Sequence, residues 1–166
     1  VPVVICDIGS DFGEYVSYIS TDNLAGGKAI GEYIASQLEP GTEVAQITLN
    51  QARINGVLRK DGFDEGIATN NLVDVDFKQM EKVNRSEGET YAQDLITAHP
   101  NLGAIFCHSE DPTMGAVSAL EAAGRTDVLV AAFDCSPEIV EAIREGKVAG
   151  TSAQQPVLMG RYSAQA

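Results

Sequence analysis

The sequence is poor in basic residues and has no long apolar run. Its 166 residues include 11 Lys and Arg against 24 Asp and Glu, which gives a formal net charge of -13 at pH 7. A surface this acidic repels phosphate backbones and anionic lipids, so we expect no nucleic-acid partner. No apolar run approaches the roughly 20 residues that a membrane-spanning helix needs. The 44% of apolar residues is ordinary for a globular domain.

Cysteine is also scarce, and the motifs of several enzyme classes are missing. The three cysteines, Cys6, Cys107 and Cys135, include no Cys-x-x-Cys spacing, so neither a disulfide framework nor a zinc site is indicated. Each lies at or just past the end of an apolar run, which predicts buried thiols near strand ends. Gly-x-Gly-x-x-Gly and Gly-x-Ser-x-Gly do not occur, and the Gly-Gly-Lys run at 26–28 lacks phosphate-loop spacing. We therefore expect no enzymatic activity, no cofactor and no bound metal.

The N-terminus carries neither an initiating Met nor a secretory signal. The opening Val-Pro-Val-Val-Ile resembles the interior of a sheet, so we expect a trimmed or fragmentary chain. The missing signal then carries no information about the cellular compartment.

Apolar, β-branched runs alternate with helical patterns along the whole chain. Strands are predicted at residues 3–6, 15–19, 44–49, 72–77, 102–107, 128–133 and 148–153. Helices are predicted at residues 22–38, 55–68, 86–99, 112–123, 137–145 and from 156 onward. Because the strands are apolar enough for burial on both faces, we expect an α/β fold, a doubly wound three-layer sandwich with a mostly parallel sheet.

Capping residues mark several of these helices. The pair Ser86 and Glu89 has capping-box spacing. Asp111 and Ser136 each precede a proline, which predicts an N-cap followed by proline at the first helical position. Gly124 is expected to end the fourth helix in a left-handed conformation.

Polar side chains follow most of the predicted strands. Asp7, Asp134 and Gln154 stand where apolar runs end, and Ser109 and Glu110 follow the strand at 102–107. In an open parallel sheet, ligands bind outside the carboxyl ends of the strands. These groups can exchange hydrogen bonds with a hydroxyl-rich ligand. The alternative left open by the residues alone is that they only begin loops and cap helices.

The two histidines carry little functional signal. His99 precedes a proline at a helix end, which predicts a C-terminal cap. His108 is better placed, but no second metal ligand or nucleophile lies near it in the sequence. We therefore expect no catalytic or metal-binding role for His108.

Several short segments follow one another in a family-specific order. They are VPVVICD at 1–7, VSYISTDNLAGGK at 16–28, Arg59-x-x-Gly62-Phe63, Phe133-Asp134, Gly146-Lys147 and AQQP at 153–156. Together they resemble the type I periplasmic sugar-binding proteins, the ribose-binding group in particular. The resemblance covers essentially the whole chain.

The resemblance implies a particular domain organisation. The family has two doubly wound lobes, joined by three crossing segments, with sugar bound between them. This chain is similar to roughly the second half. Residues 1–21 would be a first-lobe strand and hinge segment, and residues 22–153 the sugar-binding second lobe. Residues 154–166 would be a hinge and the start of a first-lobe helix.

The resemblance also assigns ligand-binding positions. Asp7 and Asp134 match carboxylates that accept sugar hydroxyls, and Arg59 matches an arginine that reaches the sugar. Thr21 stands where the family often has a serine beside the first hinge. Gln154 matches the hinge glutamine.

Three of the implied positions depart from the family pattern. Ser109 and Glu110 stand where the family usually has Asn-Asp. Val83 falls near the usual position of an aromatic residue that stacks on the sugar ring. These departures change both the hydroxyl-reading groups and the stacking surface, so the identity of the sugar stays open.

By this resemblance, the function is carbohydrate binding within the substrate-binding component of a sugar ABC importer. The partners would be a monosaccharide, pentose or hexose, and the importer's membrane subunits, in the periplasm or at the extracytoplasmic cell surface. A lone lobe exposes its cleft surface and strand edges, so we expect it to dimerise. One alternative is the effector-binding domain of a lactose-repressor-type transcriptional regulator, which shares this fold. Another is a nucleotide-utilising α/β enzyme.

Overall fold

Strands and helices alternate along almost the whole chain. The structure, a computed structural model, describes residues 1–10 and 12–166. The strands are β1 (Val4–Cys6), β2 (Ser17–Ile19), β3 (Glu43–Thr48), β4 (Val73–Gln79), β5 (Leu102–Cys107), β6 (Leu129–Phe133) and β7 (Gly150–Ser152). The helices are α1 (Asn23–Ala35), α2 (Ile54–Ile67), α3 (Arg85–Ala98), α4 (Glu110–Ala123), α5 (Pro137–Arg144) and α6 (Pro156–Gln165). A 3-10 turn, Ala68–Asn70, follows α2.

The strands form two sheets. The larger has the order β4-β3-β5-β6-β7, and every neighbouring pair in it is parallel. The smaller is the parallel pair β1-β2, against which α6 packs. The chain winds outward from β3 to β4 and then returns through β5 to the other side. The predicted doubly wound α/β fold is therefore confirmed, with its topological switch point between β3 and β5.

Side chains of the central strand β5 point alternately into two cores. Ala104 and Phe106 join the core under α1 and α2, whereas Ile105 and Cys107 join the core under α3, α4 and α5. All four are fully buried. This period of two, with both faces apolar, is the pattern of a strand covered by helices on each side.

Glycines let α1 and α2 approach closely. A Cβ on Gly27 would overlap the carbonyl oxygen of Arg59, and a Cβ on Gly62 would overlap that of Leu24. Gly26 instead faces the ring of Phe133. The close backbone approach brings the middle of α2, including Arg59, against the first turns of α1, which matters for the site below.

The N-terminus of α3 differs from the prediction. Its N-cap is Asn84, whose Oδ1 accepts a hydrogen bond from the backbone N–H of Glu87 at 2.9 Å, and Ser86 lies inside the helix. The Glu87 carboxylate accepts hydrogen bonds from the N–H groups of Glu81 and Lys82, at 2.9 Å each. The loop before α3 is thus organised by Asn84 and Glu87, which start the helix earlier than the capping box predicted.

Of the three remaining predicted caps, Asp111 is wrong, whereas Ser136 and Gly124 are confirmed. At the start of α4 the N-cap is Ser109, and Asp111 lies in the first turn, where its charge favours the helix N-terminus. Ser136 caps α5 as predicted, accepting a hydrogen bond from the N–H of Ile139 at 3.2 Å. Gly124 ends α4 with φ 67, also as predicted.

The prediction of three buried thiols is wrong for two of them. Cys107 is buried, but Cys6 and Cys135 are exposed. Cys6 ends β1, a half-buried strand of the small sheet, and Cys135 lies two residues beyond the end of β6. Both positions are therefore at the rim of a sheet and outside its core.

Candidate functional site

Arg59 lies in the first half of α2 and is 2% exposed. Its Nε donates to Asn23 Oδ1 at 2.9 Å, and its Nη1 donates to the backbone carbonyl of His108. The guanidinium carbon lies 3.8 Å from the centroid of the Phe133 ring. Two hydrogen bonds and one aromatic face therefore hold the guanidinium in a single plane.

Two carboxylates act on this buried cation. Burial lowers the pKa of the Arg59 guanidinium from its ordinary value, and the charges of Asp134 and Asp7 oppose that shift. The group stays protonated, because arginine does not lose its proton in proteins. Asp134 follows β6 of the large sheet, whereas Asp7 follows β1 of the small sheet. The charges of acidic groups that follow strands of both sheets thus act on one guanidinium.

Both aspartates have a backbone conformation that is rare outside glycine. The φ angle is 71° at Asp7 and 81° at Asp134. The N–H of Asp134 donates to Ser152 O at 3.0 Å, and the N–H of Asp7 donates to Ile19 O at 2.9 Å. Left-handed aspartates held by the neighbouring strand are uncommon, and such strain often accompanies a ligand site.

Gln154 joins Asp134 to Thr21, which lies between β2 and α1. Gln154 Nε2 donates to Asp134 Oδ1 at 2.5 Å, and Gln154 Oε1 accepts from Thr21 Oγ1 at 2.8 Å. The structure therefore brings together three of the predicted positions, which are far apart in the chain.

Ser109 and Glu110 lie at the adjacent start of α4. Glu110, Asp134 and Gln154 line one open cavity of about 320 Å³, together with Cys135. The Ser109 hydroxyl oxygen is buried and has no hydrogen-bond partner among the described residues. Both positions thus border the Asp134 cluster.

Val83 stands apart from these residues. It precedes α3 and packs against the core under α3 and α4, on the opposite side of the sheet from Arg59. Its φ of 47° is unusual for a β-branched residue. Within the described part of the chain, no hydrogen bond or shared cavity joins Val83 to Arg59 or Asp134.

Sequence reasoning missed the residues that support Arg59. Asn23, Phe133 and the carbonyl of His108 are its direct neighbours. The only sequence signals were that Asn23 and Phe133 lie inside the family-specific segments. The partner of Asn23 was not predictable from its position.

His108 has a structural role. Gln46 Nε2 donates to Asp64 Oδ1 at 2.8 Å and to Asp74 Oδ2 at 2.9 Å, which uses both amide hydrogens. Gln46 Oε1 must then accept from His108 Nε2, which lies 3.1 Å away. Burial and the charge of Arg59 lower the pKa of His108 well below its ordinary value, so the ring is neutral. The ring of His108 is therefore a buried partner of Gln46, while the backbone carbonyl of His108 supports Arg59.

A second cavity, of about 410 Å³, lies between residues around the β1-β2 pair and the start of α2. Its lining includes Tyr15, Tyr18, Arg53 and Ile54. The two tyrosine rings meet edge to face with centroids 6.5 Å apart. None of these residues was predicted as part of a site.

Comparison with known proteins identifies the family. Residues 1–166 match the family model described as "Periplasmic binding protein domain", and the chain belongs to this family. It is 35% identical over 160 residues to the ribose import binding protein RbsB of Escherichia coli (strain K12), covering 96% of this chain and 54% of that protein. It is 30% identical over 140 residues to the D-ribose/D-allose-binding protein of Pseudomonas aeruginosa, covering 84% of this chain and 44% of that protein.

A solved structure of similar fold contains a bound sugar. It is the Mycobacterium smegmatis protein in complex with beta-D-fucofuranose, with TM-score 0.82 and 27% identity, covering 89% of this chain and 52% of that chain. The chain spans about half the length of the curated relatives it matches. The predicted family resemblance is confirmed, while the roles of individual site residues stay predictions.

No helix in the described residues is long and apolar enough to cross a membrane.

Proposed function

We propose that this chain forms one side of the sugar-binding cleft, with its hinge segments, in the substrate-binding component of a sugar ABC importer. The protein would work in the periplasm or at the extracytoplasmic cell surface. The observation that carries this function is the buried Arg59 guanidinium, flanked by the charges of Asp7 and Asp134. The ribose import binding protein named above is similar over 96% of this chain, which supports the same function.

The chemistry of these groups suits a polyol. Each sugar hydroxyl is both donor and acceptor, so a carboxylate can accept from two neighbouring hydroxyls while a guanidinium donates to others. Such charge-assisted hydrogen bonds are roughly twice as strong as neutral ones. A ligand lacking a hydroxyl leaves one of these buried groups unpaired, which makes the site selective.

We propose the domain division predicted above for the complete protein. Residues 22–153 contain the large sheet, and residues 1–21 and 154–166 contain the small sheet and α6. The hydrogen bond from Thr21 to Gln154 links two crossing segments at the junction of these parts. Closure about that junction would enclose the sugar and expel water.

The ligand is proposed to be a monosaccharide, either pentose or hexose. D-ribose and D-allose are the sugars named for the relatives. Ser109 and Glu110 differ from the family pattern beside the Asp134 cluster and would set which sugar is preferred, whereas Val83 lies away from that cluster. The lactose-repressor-type alternative gains no support from these relatives.

Isothermal titration calorimetry on the intact protein tests the function. D-ribose, D-allose and further pentoses and hexoses are titrated into the wild type, and at least one should give saturable heat. Arg59→Met should abolish that heat. Arg144→Met is the matched control and should leave it unchanged, because the Arg144 side chain is 71% exposed and, among the described residues, pairs only with Glu141. A folded wild type that gives no heat with any sugar contradicts the function.

We also propose that residues 1–166 alone associate into dimers. Within the described residues, neither outer edge of the β1-β2 sheet pairs with a further strand, and Phe12, Val16 and Val157 are 87%, 65% and 83% exposed. Unpaired edges and apolar side chains favour pairing with a second copy. Light scattering at increasing concentration should show a rising mass, and a constant monomer mass contradicts dimerisation.

A further inference from the structure

Asn23 is a buried amide that joins two parts of the candidate site. It is the first residue of α1 and is 2% exposed. Its Nδ2 donates to Thr21 O at 2.9 Å, and its Oδ1 accepts from Arg59 Nε at 2.9 Å. One side chain therefore connects the segment between β2 and α1 to the buried guanidinium of Arg59 on α2.

These contacts close a ring of interactions around the site. Thr21 donates to Gln154, and Gln154 donates to Asp134. Asp134 follows Phe133, whose ring lies under the Arg59 guanidinium. Asn23 completes the ring on the other side. Arg59 and Asp134, which carry opposite charges, are thus held by one connected set of contacts. That set includes Thr21, in the segment between β2 and α1.

Asn23 helps to determine which N–H groups of the Arg59 guanidinium are free to bind a ligand. Nε is bound to Asn23, and Nη1 is bound to the His108 carbonyl. Among the described residues, no acceptor forms a hydrogen bond with Nη2 of Arg59. A guanidinium held by Nε and Nη1 cannot rotate, so its remaining N–H groups are presented in a constant direction. Less freedom is then lost when a ligand binds.

We propose that Asn23 is a positioning residue for sugar binding, which acts by orienting Arg59 and tying it to the segment between β2 and α1. The role rests on the proposed function, since Arg59 is the group that would contact the sugar. Asparagine suits the task because it supplies one acceptor and one donor without adding charge. A carboxylate there would neutralise Arg59 in competition with Asp7 and Asp134.

The first test measures affinity for the sugar that gives heat with the wild-type intact protein. Asn23→Ala removes both hydrogen bonds and should weaken binding by about tenfold to hundredfold, the range for bonds to charged groups. Asn23→Asp keeps the acceptor for Arg59 Nε but adds a charge and loses the donor to Thr21 O, so it should recover only part of the affinity that Asn23→Ala loses. Asn70→Ala is the matched control, because Asn70 Nδ2 donates to Ala35 O and Leu38 O at 3.0 and 2.8 Å, far from Arg59. Equal losses in Asn23→Ala and Asn70→Ala overturn the role.

The second test separates positioning from a merely structural effect. In an Arg59→Lys background, Asn23→Ala should cost little further affinity, because the group it orients is gone. Fully additive losses overturn the role.

The third test does not depend on finding the sugar. The Arg59 Nε–H signal in ¹H-¹⁵N NMR should be slow to exchange in the wild type and in Asn23→Asp, and fast in Asn23→Ala. An unchanged signal in Asn23→Ala overturns the role even if no sugar binds. A wild type that binds no sugar but shows the expected NMR change contradicts only the proposed function.

Discussion

Gln154 and Asp134, 20 residues apart, are joined by a hydrogen bond of 2.5 Å from Nε2 to Oδ1. Asp134 has a left-handed backbone, and this bond holds its carboxylate at the end of β6. The same Gln154 amide accepts from Thr21 at 2.8 Å. One glutamine thus couples the conformation of a candidate ligand-binding carboxylate to Thr21, in the segment between β2 and α1.

Gln154→Leu should weaken sugar binding. The substitution removes the donor that orients Asp134 and leaves the Thr21 hydroxyl with only the weak sulfur acceptor of Met159, at 3.5 Å. Loss of hydrogen bonds to a charged group predicts an affinity about tenfold or more lower, measured by calorimetry on the intact protein. Gln155→Leu is the matched control, since this exposed neighbour makes no side-chain hydrogen bond within the described residues. Similar affinities for the two variants would contradict the coupling.

Gly62→Ala should destabilise the protein. A Cβ there would overlap the Leu24 carbonyl oxygen, so α1 and α2 must move apart. Overpacking of this kind costs about 1–3 kcal/mol of unfolding free energy, measured by urea denaturation. Gly160→Ala in α6 is the control, because no atom lies within 4 Å of its added Cβ. It should be neutral or stabilising by about 0.5–1 kcal/mol. Equal effects at both glycines would argue against close helix packing.

Asp74→Asn should stabilise the protein at neutral pH but not in acid. Burial raises the pKa of Asp74 from 3.8 to about 6, and Asp64 adds to the shift, whereas Gln46 and Lys60 oppose it. The folded state therefore binds this proton more tightly than the unfolded chain does. The resulting stability is fully present below about pH 4 and is lost as the pH rises through about 6.

The variant avoids the cost of a buried charge, so its advantage over the wild type should appear between pH 4 and 7. The shift corresponds to about 3 kcal/mol at most. Urea denaturation of the wild type and the variant at pH 4 and at pH 7 measures the difference in unfolding free energy. Asp127→Asn is a control of opposite sign, because Arg125 lowers the pKa of Asp127 and that carboxylate favours the folded state at neutral pH. A difference for Asp74→Asn that is the same at pH 4 and pH 7 would contradict the assignment.

Sugar should protect Cys135 from alkylation. This exposed thiol lines the cavity that Glu110, Asp134 and Gln154 share. Cys107 should stay unlabelled, because it is fully buried and burial raises the pKa of its thiol. In a Cys6→Ser background, mass spectrometry should show slower labelling of Cys135 with a binding sugar, and no change with a sugar that gives no heat. Equal rates with and without saturating ligand would place the sugar elsewhere.

Local patterns predicted the central elements well. The strand at residues 102–107 was predicted at both ends, because it is apolar on both faces and polar residues bound it. The first helix was predicted to reach residue 38 but ends at Ala35. The Ser36 hydroxyl donates to the Tyr33 carbonyl at 2.6 Å, a local hydrogen bond that competes with continuing the helix.

The sequence alone determined the alternation of strands and helices and the edge of the large sheet at which Asp134 and Gln154 emerge. That is because burial follows the period of each element and parallel strands end at a common edge. Only the tertiary structure decided which buried groups pair, such as Asn23 with Arg59 and Gln46 with His108, which lie 36 and 62 residues apart. Those pairs depend on how closely α1, α2 and the sheet approach one another, and that spacing is a property of the packed layers, which no local pattern encodes.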